Sequence, residues 1–163
     1  MTPDVRTIAK DRMRYTNDKF SSMLAIIAIV FDCLYFVSIY ESDVATFYYN
    51  WLIGVSIVYN LVFLLAAFLA SESVKNRKPG YSGVLVVLGV IQIVRIFILP
   101  AKAHAATVLV NGVETIVMGN GQYFYCIACL VVSAVCCVVA AVMSARNNKI
   151  LADYMKTIET KAA

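Results

Sequence analysis

Four long blocks of apolar residues alternate along the chain with shorter segments that are polar or charged. A helix needs about 20 mostly apolar residues to cross a hydrocarbon layer of about 30 Å, and each block comes close to that length. Backbone groups in lipid have to be hydrogen-bonded within their own segment, so each block is expected to be helical. We predict four transmembrane spans, at about residues 20–40, 51–70, 82–99 and 123–145, the third ended by Pro100.

The composition separates a membrane protein from an unusually apolar soluble one. Apolar residues make up 61% and charged residues 15% of the 163 residues, with a mean hydropathy of +0.78. A soluble domain has roughly 45–50% apolar and about 25% charged residues. Because the apolar excess lies within the four blocks, the sequence predicts one all-α integral membrane domain over residues 1–163, a four-transmembrane-helix bundle.

Lysine and arginine are distributed unevenly among the segments that flank the predicted spans. The N-terminal segment has five, residues 41–50 have none, the second connection has three, the third has one and the C-terminal tail has four. Segments rich in lysine and arginine stay on the cytoplasmic side of a membrane. The alternation therefore predicts a multi-pass protein of the cell membrane with both termini cytoplasmic, and the net charge of +4 does not indicate a nucleic-acid partner.

The two ends of the chain have helical periodicity outside the spans. Residues 1–19 combine apolar and basic positions at a spacing that suits an amphipathic helix on the cytoplasmic surface, either held near anionic lipid or docked to a partner. In the tail, residues 146–163, Ile150, Tyr154 and Ile158 recur every four residues, so the fourth helix is expected to continue into the cytoplasm. The apolar stripe of this tail needs a cover, which the N-terminal helix, the membrane surface or another chain could provide.

The connection between the third and fourth spans has the pattern of a β-hairpin. Asn111-Gly112 separates two β-branched runs, and a type I′ turn favours this dipeptide because both of its central residues have positive φ. We predict a small outer hairpin at about residues 107–118. A two-stranded hairpin alone is marginal in water, so this one is expected to pack on the helix ends or on a partner.

Two ionisable residues fall near the middle of predicted spans. At a rise of about 1.5 Å per residue, Asp32 lies roughly 15 Å past Ser22 and Arg95 roughly 18 Å past Gly83, and both of these starting points are near the cytoplasmic ends of their spans. Gln92 is one turn from Arg95 on the same helix face, and Asn60 in span two lies at a similar depth. An unpaired charge at this depth costs from about 2.5 to over 10 kcal/mol, so these side chains should face each other. We predict an intramembrane polar network of Asp32, Asn60, Gln92 and Arg95.

Three interpretations of this network remain open. It could be an internal ion pair that determines which helices are neighbours, a site that couples protons or substrate in a water-accessible cavity, or a charge that pairs with a different subunit. A bundle of four helices has little room for both a packed core and a transport pathway. That argument favours the structural interpretation unless the protein forms oligomers.

All five cysteines lie within the predicted spans, four of them in the last. Buried cysteine usually behaves as a small apolar residue. Small residues recur every four positions along span four and are predicted to form a helix-packing ridge, since small side chains let helix backbones approach closely in lipid. The members of this ridge are Cys129, Ser133, Cys137, Ala141 and Ala145.

Cys126 and Cys129 also form a C-x-x-C motif, which can be a redox pair. Residues 123–129, Tyr-Phe-Tyr-Cys-Ile-Ala-Cys, resemble the start of the fourth span of the vitamin K epoxide reductase homologues, which are four-helix bundles. The resemblance implies a membrane thiol oxidoreductase. That family has a shuttle cysteine pair in the outer loop after span one, whereas residues 41–50 contain no cysteine.

No other pattern predicts catalysis. The single histidine, His104, has no second metal ligand near it in the sequence, and phosphate-binding and hydrolase motifs are missing, so neither a metal nor a cofactor is predicted. The preferred hypothesis is a non-catalytic accessory or assembly subunit of a larger membrane complex of the transport type. Its partners would be the lipid bilayer and other membrane subunits or copies of itself. The alternatives are a small homo-oligomeric transporter or channel that uses the Asp32–Arg95 pair, and the thiol oxidoreductase.

Overall fold

The computed structural model of the protein describes residues 5–40, 51–110 and 113–162. Within these ranges the chain is mostly helical. Its elements in chain order are α1 (Val5–Tyr15), α2 (Lys19–Tyr40), α3 (Trp51–Lys75), α4 (Tyr81–Ile98), α5 (Pro100–Ala105), β1 (Thr107–Val110), β2 (Val113–Ile116) and α6 (Asn120–Ala162). Among the described residues, four segments are long and apolar enough to cross a membrane: α2, most of α3, α4 together with α5, and most of α6. The prediction of four such helices is confirmed.

The four long helices form a closed bundle. α6 packs mainly against α2 and α4, and α3 packs against the same two helices from the other side. This places α2 and α4 on one diagonal of the bundle and α3 and α6 on the other. A side chain of α2 that contacts α4 therefore has to cross the centre.

The core has two apolar clusters, one towards each end of the bundle. The first is rich in alanine and includes Ala25, Ala67 and Ala140, and the second includes Tyr35, Met118 and other residues near the strands. Large apolar side chains also cover the outer surface of all four long helices, including Val30, Leu61, Val87 and Val135, each of which is more than half exposed. A water-soluble protein rarely exposes so continuous an apolar surface, whereas lipid accommodates it.

Hydrogen bonds hold together the end of the bundle where α2 begins. Asp18 caps α2, because its Oδ1 accepts the backbone N–H of Ser21 at 3.2 Å. Its Oδ2 accepts the side-chain amide of Asn147 in α6 at 3.0 Å, and its backbone N–H donates to Lys75 O at the end of α3. One turn further in, the hydroxyls of Ser22 and Ser71 lie 2.9 Å apart. These bonds set α2, α3 and α6 at a common level.

The buried face of α6 differs from the predicted ridge in one residue. Cys129, Ser133, Cys137 and Ala141 are buried, but Ala145 is exposed. In an α-helix each residue is rotated by about 100° from the one before it, so every fourth residue is displaced by about 40° around the helix axis. After a few such steps the residues no longer face the interface. The observed seam alternates steps of four and three residues: Cys126, Leu130, Ser133, Cys137, Ala140 and Ser144. A mean period of 3.5 residues is typical of helices that pack with a left-handed crossing.

Pro100 interrupts the third long helix without ending the helical segment. α4 ends at Ile98, as the sequence indicates, but Pro100 occupies the first position of α5, where its missing N–H would have no helical partner in any case. Leu99 joins the two helices, since its N–H donates to Arg95 O and its carbonyl accepts the N–H of Ala103. The apolar helical segment therefore extends to Ala105 rather than ending at Leu99 as predicted.

The connection between α5 and α6 contains two short antiparallel strands, with Thr107 opposite Ile116 and Val110 opposite Val113. Asn111 and Gly112 lie outside the described residues, so their turn type stays a prediction. Met118 is fully buried in the second apolar cluster, and its carbonyl accepts a hydrogen bond from Nδ1 of His104 at 3.2 Å. These contacts fasten the end of the strand pair to the bundle.

The N-terminal helix and the C-terminal tail lie at the opposite end from the strands. α6 is a single helix to Ala162, and α1 packs against it. The tail is therefore continuous with the helix that forms the largest contacts of the bundle.

The close approach of α4 and α6 at Gly89 yields a testable prediction. A Cβ added to Gly89 would lie 3.0 Å from Val138 Cγ2 and 3.2 Å from the backbone oxygen of Ala134, which cannot move away freely. We expect Gly89→Ala to destabilise the bundle by about 1–3 kcal/mol, the usual range for overpacking. Unfolding by a denaturing detergent, followed by circular dichroism, measures the change.

Gly83 on the same helix is the matched control, since a Cβ there meets nothing within 4 Å. Gly83→Ala is expected to be neutral or to stabilise by up to about 1 kcal/mol through helix propensity. Equal effects of the two substitutions would show that the α4–α6 contact at Gly89 is not tightly packed.

Candidate functional site: the buried polar layer

A layer of polar side chains separates the two apolar clusters of the bundle. Each long helix contributes to it: Asp32 from α2, Asn60 from α3, Gln92 and Arg95 from α4, and Ser133 from α6. All five residues are at most 6% exposed. The four residues predicted to form a network therefore lie together, and they are joined by Ser133, a residue of the predicted packing ridge.

The centre of the layer is an ion pair across the α2–α4 diagonal. Nη1 of Arg95 lies 2.8 Å from Oδ1 of Asp32, and the two side chains are 7% and 1% exposed. Gln92 is one turn before Arg95 and so shares its helix face; its Nε2 donates to the same oxygen at 2.8 Å. Oδ1 of Asp32 thus accepts two hydrogen bonds from α4.

The second terminal nitrogen of Arg95 is also bonded within the bundle. Nη2 donates to Oδ1 of Asn60 on α3. The amide nitrogen of Asn60 donates to Ser56 O on its own helix at 2.8 Å, which turns the amide oxygen towards the guanidinium. Asn60 therefore presents an acceptor, as a cation requires, and links α3 to the pair.

Ser133 connects the layer to α6. Its hydroxyl donates to Ala28 O on α2 at 2.9 Å and accepts from Nε2 of Gln92 at 3.3 Å. One small side chain thus bonds to both helices against which α6 packs. The side chain of serine is small enough to form this bridge while the helix backbones stay close together. A longer amide or carboxylate side chain would hold the backbones further apart.

Two tyrosine rings enclose the guanidinium of Arg95. The Cζ atom lies 4.4 Å from the ring centroid of Tyr35 and 4.7 Å from that of Tyr59. Aromatic rings attract a cation through their electron-rich faces, most strongly where water is excluded. Neither tyrosine belongs to the predicted network, although Tyr35 lies three residues after Asp32 and hence on the same face of α2. That spacing was the available signal.

Some polar atoms of the layer lack a hydrogen-bond partner among the described residues. They are Oδ2 of Asp32 and the hydroxyls of Tyr35 and Tyr59, all of them buried. Arg95 is therefore well supplied with acceptors, while Asp32 has one free acceptor. The free carboxylate oxygen of Asp32 and the two tyrosine hydroxyls are the atoms of the layer with the capacity to take a further hydrogen bond.

An apolar cavity of about 280 Å³ lies between α3 and α4 beside the layer. Arg95, Tyr59 and Ser56 line it together with valine, isoleucine and leucine side chains. Its wall is almost entirely apolar, and the polar side chains that contribute to it are those of Arg95, Tyr59 and Ser56. The cavity therefore offers space for an apolar group rather than an aqueous path to Asp32.

The C-x-x-C pair lies apart from this layer, in the second apolar cluster. Cys126 and Cys129 are 0% and 3% exposed, and Sγ of Cys126 lies 3.8 Å from the hydroxyl of Ser38. α6 begins at Asn120, so Cys126 is beyond the first turn, within which the helix dipole is strongest. All five cysteines are free thiols. Both thiols are thus shielded by the side chains around them, whereas thiol–disulfide exchange requires that a sulfur atom of another molecule can reach the thiol.

Comparison of the chain with protein-family models, with curated proteins and with solved structures finds no match. Arguments about function therefore rest on the geometry of the chain itself.

The polar layer yields a double-mutant prediction. Asp32→Leu or Arg95→Met alone leaves one buried charge without its partner and should destabilise the bundle by about 3–5 kcal/mol. The double variant removes both charges and should recover most of that loss, since an apolar pair of similar volume is often neutral. Unfolding free energies of the four proteins in one detergent measure the coupling.

Cys33→Leu is the matched control, because Cys33 is adjacent to Asp32 but exposed on the outside of α2. It should leave stability unchanged. If the double variant is as unstable as the sum of the single variants, the two side chains do not form a coupled structural pair.

Proposed function

We propose that the protein is a non-catalytic accessory or assembly subunit of a larger membrane complex, multi-pass in the cell membrane with both termini cytoplasmic. The observation that carries this proposal is the polar layer, whose charges bind each other. Both terminal nitrogens of Arg95 donate to side chains of the same bundle. A pair bonded in this way fits a structural role, in which polar contacts fix the neighbours and the register of apolar helices.

A transporter or channel that used the same pair would have to break it during each cycle. Breaking it would expose a guanidinium that now contacts Asp32, Asn60 and two tyrosine rings. The cost of leaving a buried charge unpaired argues for a permanent pair. The buried positions of Cys126 and Cys129 likewise give little support to a thiol oxidoreductase.

The length of α6 supports a role outside the bilayer. At about 1.5 Å per residue its 43 residues extend for about 64 Å, roughly twice the thickness of the hydrocarbon layer. Residues 120–145 suffice to span the membrane. The following 17 residues would project about 25 Å into the cytoplasm if the lysine and arginine distribution sets the orientation.

The projecting part of α6 has two distinct faces. The seam of the bundle continues along it with the same alternating spacing, through Asn147, Leu151, Tyr154 and Ile158, all of them partly buried. The opposite face is exposed and charged and carries Lys149, Asp153, Lys156 and Glu159. α1 packs against α6 but has only 11 residues, about 16 Å of helix, so it is too short to accompany the whole projecting part, which is about 25 Å long. The remainder suits an apolar helix of another subunit.

The orientation is tested by labelling single cysteines introduced at exposed sites. Glu114 on β2 and Thr157 on the tail are both exposed. With a membrane-impermeant maleimide on intact cells, we expect Glu114→Cys to be labelled and Thr157→Cys to be labelled only after lysis. The reverse pattern would invert the proposed orientation, and the parent protein reports any background from the native cysteines.

The accessory role is tested by purification from the native host in a mild detergent. The wild-type chain should co-purify with a larger membrane protein. Tyr154→Lys and Ile158→Lys should reduce the recovered partner at least tenfold, because a charge on the seam opposes apolar packing, whereas Lys156→Ala on the charged face should leave recovery unchanged. A chain isolated as a stable monomer without any partner would contradict the proposal, as would equal recovery with all variants.

A further inference from the structure

A polar groove of about 590 Å³ lies at the end of the bundle where α1 meets α2. Its wall includes Tyr15, Thr16, Asp18, Lys19, Phe20 and Arg77. The groove therefore lies where the apolar part of α2 begins, and Arg77 reaches it from the turn that follows α3. None of these residues belongs to the buried polar layer.

Arg77 occupies a backbone position that normally selects glycine. Its N–H donates to Val74 O and the N–H of Lys78 donates to Ser73 O, the bond pattern of a Schellman motif at the end of α3. Arg77 is the residue in the left-handed conformation, with φ of 55°, and within the described part of the chain it is the one non-glycine residue with positive φ. Glycine would adopt this conformation without strain. The presence of arginine here therefore points to a role for its side chain.

The guanidinium of Arg77 is only partly supplied with acceptors. Its Nε donates to Thr16 O at 3.1 Å, but Nη1 is buried and has no hydrogen-bond partner among the described residues. The acid of the groove, Asp18, is directed elsewhere, towards Ser21 and Asn147. Arg77 thus lines the groove with a guanidinium that has one unpartnered donor, and a guanidinium binds anionic oxygens strongly.

The surroundings of Arg77 combine positive charge with exposed aromatic surface. Lys19 is exposed, and Tyr15 and Phe20 are 79% and 56% exposed at the same end of α2. Aromatic and basic side chains together are typical of the headgroup layer of a membrane, where the rings contact acyl chains and the cations contact phosphate. A free phosphate ion would use the cations but not the rings.

We propose that this groove binds the phosphate group of an anionic phospholipid, with Arg77 as the principal ligand and Lys19 as a second cation. The phosphodiester oxygens accept from the guanidinium, and the glycerol and acyl parts lie against Phe20 and Tyr15. The proposal rests on membrane insertion as given under the proposed function, and the cytoplasmic orientation decides only which leaflet supplies the lipid.

The test uses the full chain purified in a neutral detergent, with phosphatidylglycerol, phosphatidylcholine or inorganic phosphate added. We expect phosphatidylglycerol to raise the thermal unfolding midpoint and to remain bound in native mass spectrometry, and the other two to do neither. Arg77→Gly should reduce bound phosphatidylglycerol at least fivefold without lowering the midpoint of the lipid-free protein substantially, because glycine relieves the backbone. Lys78→Ala is the matched control, since Lys78 is adjacent and exposed but does not line the groove.

Unchanged lipid binding by Arg77→Gly would overturn the proposal, and so would equal stabilisation by inorganic phosphate at millimolar concentration. If Arg77→Gly fails to fold, Arg77→Asn provides the same comparison, since asparagine also tolerates the left-handed conformation. Lipid binding is measured without a partner protein, so a negative result here leaves the accessory role standing. Conversely, a chain that recovers no partner can still bind lipid.

Discussion

The ion pair between Asp32 and Arg95 is the interaction on which the arrangement of the bundle depends. Apolar helices in lipid have little reason to choose one neighbour or one register over another, because lipid tails are as apolar as their side chains. The pair crosses the diagonal between α2 and α4, and Gln92, Asn60 and Ser133 extend it to the other two helices. A slip of one helix by one turn, about 5.4 Å, would break these bonds and leave charges without partners.

The hydrogen bonds at the end of the bundle reinforce the same register. Ser22 and Ser71 are bonded to each other, Asp32 follows Ser22 by 10 residues, and Asn60 precedes Ser71 by 11 residues. Both polar groups therefore lie about 15–17 Å from that level, although α2 and α3 run in opposite directions. The alanine-rich cluster fills the space between the two levels, where small side chains let the helices approach closely.

Residues whose misplacement has a large energetic cost could be grouped from the sequence. A charge in an apolar block has to be paired, so Asp32, Arg95 and the amides at their depth could be grouped from helical rise alone. Tyr35 and Tyr59 could not be assigned to the layer in this way, because an aromatic residue is ordinary in an apolar block and does not by itself indicate a polar contact. The prediction for Ala145 is wrong because residues spaced by four share one face of a helix over a few steps only, and Ala145 is four steps from Cys129.

Other features depend on tertiary context that a single sequence does not contain. Pro100 predicts the end of a helix, but whether the helical segment also ends there depends on the residues that follow, and in this structure they begin α5. In the sequence Arg77 is one of the positive charges that flank a predicted span, and only the structure shows that its backbone is left-handed. The function of the chain also depends on such context, because a buried polar layer whose charges are paired with each other constrains the fold more directly than it identifies a partner.

The separation of Asp32 and Arg95 along the chain has a consequence for biosynthesis. The two residues are 63 positions apart, and they lie on the first and third of the four long helices. A ribosome that adds about 5–20 residues per second produces Arg95 roughly 3–13 seconds after Asp32. If the helices insert one by one, as the proposed function implies, the carboxylate of Asp32 is without its cation for that interval. Asn60 lies on the intervening helix and Ser133 on the last, so each of the four long helices brings its member of the polar layer in turn as the chain is synthesised.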